Sequence, residues 1–189
     1  MPDNPPILLH CCCGPCASAC IERLLAEGRT CQLVFSNSNL DTEAEFDLRL
    51  ENLRKVAGHF GLGEVLVDPY DHQKWLDWVS QTPDFAQCPE GGERCAKCFE
   101  WSLGRTASFA ADHGMTFTTS LSVSPHKNSQ KLMEIGGKSH LFEPYNFKKK
   151  NGFLRSIQLS QQLGLYRQKY CGCEFSHAAN KPEDAPSGN

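Results

Sequence analysis

Eleven of the 189 residues are cysteines. Four of them fall within His10-Cys11-Cys12-Cys13-Gly14-Pro15-Cys16, directly after the apolar segment Ile7-Leu8-Leu9. A second concentration, Cys95-Ala96-Lys97-Cys98, has the two-residue spacing that puts both sulfurs on one side of a first helical turn. Cys12 and Cys13 are adjacent, so a regular helix or strand would turn them apart. An irregular strand-to-helix turn aims both at one point. Two pairs from distant segments thus supply four thiolates, which suit either a zinc ion or an iron–sulfur cluster; ligand count alone does not separate these. The details lean toward the cluster. A contiguous Cys-Cys pair is unusual for a zinc knuckle, and a Gly-Pro turn at a helix N-terminus offers N–H groups to an anionic centre.

The remaining cysteines divide by context. Cys16 is the surplus thiol of the first run, open to three roles: ligating a second metal ion, touching substrate, or packing under the helix. Cys20 and Cys31 lie on apolar faces and read as reduced core residues, Cys11 as structural, and Cys88 as a loop thiol that either lies near the metal or has no role. His10 ends a strand and reads as a core histidine with satisfied nitrogens rather than a ligand. Cys171-Gly172-Cys173 is a separate signal. Residues two apart can reach disulfide range when a glycine permits the contorted backbone, and so small a ring is strained and easily reduced. The bland alternative is a chance pair of loop cysteines.

Charge is distributed unevenly. The net charge of −3 and pI near 6.2 do not describe a nucleic-acid binder. Yet no acidic residue occurs from Pro144 to Cys173, a stretch holding Lys148, Lys149, Lys150, Arg155, Arg167 and Lys169, interleaved with Phe147, Phe153, Tyr166 and Tyr170. Cations neutralise phosphates and aromatic rings stack unpaired bases, so this stretch suits an RNA loop; the plainer reading is a solvated charged face.

These groups need a frame. The length fits one compact domain with a proper core, expected over residues 1–178, followed by a disordered Pro/Ser/Gly/Asn-rich tail. No signal peptide precedes the cysteines and no apolar run is long enough to cross a bilayer, so a cytoplasmic, reducing setting is expected, with no membrane partner. Strands are expected at Pro6–His10, Cys31–Phe35, Glu64–Val67 and Thr116–Leu121. Helices are expected from Pro15 to about Gly28, behind a Thr42–Glu45 capping box, over Lys74–Ser80, Cys95–His113, Asn128–Ile135 and around Arg155–Leu163. Gln81–Arg94 is a long polar loop. Alternating strands and helices predict an α/β fold: a mainly parallel sheet flanked by helices, with active groups at strand C-terminal ends and a helical and loop extension at the C-terminus.

Five segments, taken in order, carry a resemblance: His10–Cys16, Glu90–Cys98, Phe117–Leu121, Ser124–Lys127 and Leu165–Cys173. Together they resemble the cobalamin-independent epoxyqueuosine reductase family (QueH type). The resemblance implies a fold like that of PP-loop (HUP-like) nucleotide-binding proteins, with a cysteine turn in place of the phosphate loop and no ATP. It implies reduction of an epoxide to an alkene on the wobble base of a tRNA. It also implies a [4Fe–4S] cluster on Cys12, Cys13, Cys95 and Cys98, an additional iron nearby, and a redox-active disulfide between Cys171 and Cys173. Cys16 is the first candidate ligand for the second iron, with His10 and Asp41 weaker ones; zinc can substitute for that iron in crystals. Partners would be the anticodon loop, held by Lys148, Lys149, Lys150, Arg155 and Arg167, and an electron donor that the sequence does not name. The pattern departs at His126, where a tyrosine is common, at Asn146, where an aspartate would serve as metal ligand or proton source, and at Ser102, where an arginine is usual, although Arg105 is close by. Ser38 and Thr42 replace prolines. The rival readings are a zinc-stabilised thiol-disulfide oxidoreductase and an RNA-binding module.

Overall fold

Strand β1 (Ile7–His10) is buried along its whole length, as an uninterrupted apolar run requires of a central parallel strand. The computed structural model describes residues 5–179. β1 pairs in parallel with β2 (Cys31–Phe35) on one side and with β4 (Thr116–Thr119) on the other. β3 (Leu66–Val67) adds to β2, giving the order β3-β2-β1-β4. The chain therefore winds outward from β1 to β3, then returns to the opposite side of β1. That reversal leaves a crevice beyond the C-terminal ends of β1 and β4, where open α/β sheets bind ligands.

Side chains alternate across the sheet. Ile7, Leu9, Leu33 and Phe35 face α1 (Gly14–Ala26), α2 (Glu43–His59) and α6 (Gly152–Gln162). Leu8, Val34 and Phe117 face α4 (Glu93–Asp112) and α5 (Ser129–Gly136). α3 (His72–Val79) packs Trp75 and Val79 into a third cluster, which also holds Cys173, just before the short α7 (Glu174–Ala179). The result is the expected single parallel sheet with helices on both faces. No helix among the described residues is long and apolar enough to cross a membrane.

Local chemistry explains the differences from expectation. Only two residues of Glu64–Val67 form a strand, because β3 is an edge that meets β2 at its last two positions. Thr116–Leu121 stops being a strand at Thr119, whose hydroxyl accepts from the Leu121 amide and turns Ser120–Val123 into a 3-10 segment. Thr42 does cap α2, accepting from Glu45 N at 3.2 Å. The reciprocal half of the capping box is missing, since the Glu45 carboxylate turns to Arg49 and Tyr166 instead. The disordered tail was expected from residue 179, but Ala179 closes α7; residues 180–189 lie outside the described residues.

Candidate metal centre and its cavity

The turn after β1 places the first thiols. The chain bends at Cys12, breaking the alternation of β1, and Cys13 follows as the extended N-cap of α1 (φ −171°, ψ 164°), so neighbouring sulfurs face one way. Gly14 is needed next, because a Cβ there would lie 2.9 Å from the Asn52 carbonyl oxygen of α2. The sulfurs of Cys12, Cys13 and Cys16 all lie within 4.8 Å of one another, close enough to hold one metal ion. Ser120, just past β4, closes the crevice: its Oγ accepts from Cys12 N at 3.1 Å and sits 3.4 Å from Cys12 Sγ. Hydrogen bonds from Cys12 and then Cys16, with a further one from Gln168, hold the Cys13 thiol well below its ordinary pKa. Sharing its proton with Cys13 pushes Cys12 up to about 12, and contacts with Cys12 and Cys13 raise Cys16. The trio is thus a soft donor set in which Cys13 gives up its proton most readily, suited to iron or zinc.

A cavity of about 480 Å³ opens in front of this trio, and Cys12, Cys16, Cys98 and Cys171 all line it. Cys95 does not line it. Its sulfur accepts from Gly91 N at 3.2 Å and borders an adjoining cavity of about 210 Å³ that shares Glu90, Gly91, Phe99, His126 and Lys127 with the first. Burial raises the pKa of both α4 thiols. Of the four ligands expected for one cluster, the structure therefore brings Cys12 and Cys13 together with Cys16. It sets Cys98 across the same cavity, and Cys95 one turn behind it.

The Cys171-Gly172-Cys173 turn forms another wall of the cavity, with both thiols free. Gly172 has φ +134°, and a Cβ there would lie 2.4 Å from Leu40 Cδ2, so both conformation and space require glycine. Three contacts fix the turn: Asp41 N donates to Gly172 O (2.8 Å), Arg49 Nη1 to Cys171 O (3.0 Å), and Cys171 N to Ser176 Oγ (3.0 Å). Arg49 is almost fully buried, salt-bridged to Glu45 at 2.7 Å and set over the Tyr170 ring. Lys127 Nζ reaches Cys171 Sγ at 2.7 Å.

Several sequence candidates have other duties. His10 Nε2 donates to the Ser36 carbonyl (3.1 Å) while Nδ1 accepts from the Thr119 hydroxyl (2.9 Å). Both ring nitrogens are thus partnered, burial holds its pKa down to about 4, and its side chain also lines the cavity. Asp41 accepts from Tyr170 Oη at 2.9 Å and clamps the cysteine turn. Asn146 Oδ1 accepts from Lys148 N and is not among the cavity-lining residues. Ser102 does line the cavity, whereas Arg105 pairs with buried Asp68. Cys11, Cys20 and Cys31 are buried in the core beneath α1.

The basic segment divides in two. Arg155 makes a two-pronged ion pair with Glu22 (2.7 Å each), Lys150 lies 3.4 Å from Glu27, and Lys148 Nζ donates to the Lys127 carbonyl. Lys149 is exposed in a 3-10 turn. Arg167 and Lys169 line the cavity, with the Arg167 guanidinium 6.0 Å from the centre of the Phe153 ring. Sequence reading gave no role to Lys127, Arg49, Ser120 or Gln168. Lys127 sits in one of the motif segments, so a signal existed; the Glu45/Arg49 spacing announced only a helical ion pair.

Comparison with known proteins is consistent along the whole fold. The family described as Epoxyqueuosine reductase QueH matches residues 7–179. A Thermotoga maritima protein named epoxyqueuosine reductase QueH is 34% identical over 178 residues, covering 90% of this chain and 89% of the relative. Its namesake from Streptococcus pyogenes is 32% identical over 181 residues, covering 92% of this chain and 71% of its own length. That from Dehalococcoides mccartyi is 31% identical over 178 residues, with 91% and 92% covered.

Proposed function

Because the chain belongs to the epoxyqueuosine reductase QueH family, we propose that it converts epoxyqueuosine to queuosine at the wobble position of tRNA, removing the epoxide oxygen as water. The observation that carries this reading is a single cavity lined by Cys12, Cys16, Cys98 and Cys171 together with Lys127, Arg167 and Lys169. It sets several sulfurs beside cations able to hold a polyanion. The reaction needs two electrons and two protons: epoxide + 2e⁻ + 2H⁺ gives alkene and water.

The residues fit a thiolate-bound metal centre, since three sulfurs lie within 4.8 Å of one another and Cys13 is the most readily ionised of them. A [4Fe–4S] cluster on Cys12, Cys13, Cys95 and Cys98 would supply electrons singly, with Cys16 available to an additional iron for which zinc can substitute. The chain's own groups do the rest. Arg167 and Lys169 hold backbone phosphates at the cavity, and Phe153 offers a ring on which a base stacks. The substrate base lies in a loop, so bringing it to the sulfurs costs less than extracting one from a duplex. Cys171 and Cys173 act as a dithiol whose closure releases two electrons, the number the epoxide consumes.

Iron and labile sulfide analysis of anaerobically purified protein, with single-turnover assays on epoxyqueuosine-containing tRNA, tests this reading. Brown protein with near-stoichiometric sulfide and alkene product is the expected result. Zinc-only, sulfide-free protein without turnover under strict anaerobiosis overturns it.

A further inference from the structure

The two sulfurs of the Cys171-Gly172-Cys173 turn stand in opposite surroundings. Cys171 lines the cavity, and its Sγ lies 2.7 Å from the Lys127 ammonium. Cys173 turns away into the apolar cluster of Trp75 and Val79 and is 8% exposed. Cys171 is the hydrogen-bond partner of Lys127, and Cys98 and Cys95 also lie within reach of its charge. Phe99 lies beside it, with the ring centre 5.9 Å from Nζ, and no ion pair among the described residues includes it. Glu90, the carboxylate lining the same cavity, lies toward Ser176 at 3.5 Å. The main chain cannot drift from the cation, because Arg49, Asp41 and Ser176 hold it at Cys171 O, Gly172 O and Cys171 N.

We propose that Lys127 is the positioning residue of this pair: its ammonium holds Cys171 as the nucleophilic sulfur and favours the open dithiol over the closed disulfide. The physical reason is that a thiolate, not a thiol, attacks sulfur, and a nearby cation stabilises the thiolate but gains nothing from a neutral disulfide. The apolar wall keeps Cys173 as the protonated partner. Closing the ring converts the two thiols into the disulfide, releasing two electrons and two protons. With oxidised glutathione (GSSG) as acceptor the step is Cys171–SH + Cys173–SH + GSSG → disulfide + 2 GSH. Lys127 thereby makes the pair easier to reduce after each closure. The inference rests on the reading above that this pair cycles.

The test is the equilibrium of anaerobically purified, metal-replete protein with glutathione buffers, the Cys171–Cys173 state being read by peptide mass spectrometry. Lys127→Met shifts the equilibrium about tenfold toward the disulfide, equivalent to a potential about 30 mV lower. Lys127→Arg, which keeps the charge, stays within about threefold of the unmodified protein. An unchanged equilibrium in Lys127→Met, with Lys127→Gln as the second neutral variant if the first fails to fold, overturns the role of Lys127. If the unmodified protein forms no Cys171–Cys173 disulfide at any glutathione ratio, the relay reading itself fails and takes this inference with it. A loss shared equally by Met and Arg variants marks a packing role only and also overturns it.

Discussion

Cys12, Cys13 and Cys16 occupy one strand-to-helix turn, whereas Cys98, Cys171 and Lys127 reach the same cavity from three separate parts of the chain. The first group is held by local geometry: an extended N-cap, a glycine pressed on α2 and a serine at the end of the neighbouring strand. The second depends on long-range clamps, chiefly Arg49 and Asp41 on the Cys171–Gly172 backbone. The candidate metal centre thus sits on the turn that leaves the central strand. The pair proposed to change redox state sits on a strap that contacts from other segments hold in place.

If this division is right, substitutions in the two groups should fail differently. Cys13→Ala removes the most readily ionised sulfur of the trio; iron content and turnover should both fall, turnover by more than about 100-fold, beyond what loss of a supporting contact causes. Retention of iron in that variant, with loss in Cys98→Ala, would move the anchor to α4. Arg49→Met strips a buried guanidinium from Glu45 and from the Cys171 carbonyl. It should cost about 3 kcal/mol in denaturant unfolding and lower turnover, because it leaves the nearly buried Glu45 carboxylate without its cation. Gly172→Ala forces a Cβ into Leu40 at a positive φ. A cost of about 1–3 kcal/mol is expected, with iron content unchanged and turnover reduced about tenfold; parallel loss of iron would show that strap and metal site are one unit.

The smallest effects divide the basic segment. Arg167→Gln should weaken tRNA binding about five- to tenfold and reduce the salt slope by about one, since Arg167 lines the cavity. Arg155→Gln, already paired with Glu22, should change affinity by less than about threefold. Filter binding across a salt series distinguishes the two, and equal effects would restore the basic run as one continuous face.

Much of this was legible residue by residue. Apolar β1, the glycine and proline of the following turn, the cap at Thr42 and the alternation of strands and helices depend on contacts within a few positions, and they specify the elements and a parallel sheet. The cysteine spacings likewise announced a soft-donor site. What the spacings could not show is which sulfurs meet. Cys16 joins Cys12 and Cys13 because α1 starts at Gly14 and swings it back over the turn, whereas Cys95 and Cys98 are placed by the packing of α4 on the sheet. The basic run read as uniform because charge in a sequence carries no information about neighbours; Glu22 and Glu27, over a hundred residues away, neutralise part of it. Lys127 and Arg49 show the same limit: a cation's role is set by which group it faces once distant segments close on one another. Local chemistry determined the elements and the kind of donor atoms, and tertiary packing alone decided their partners, because hydrogen bonds and charges act over a few ångströms of space regardless of separation along the chain.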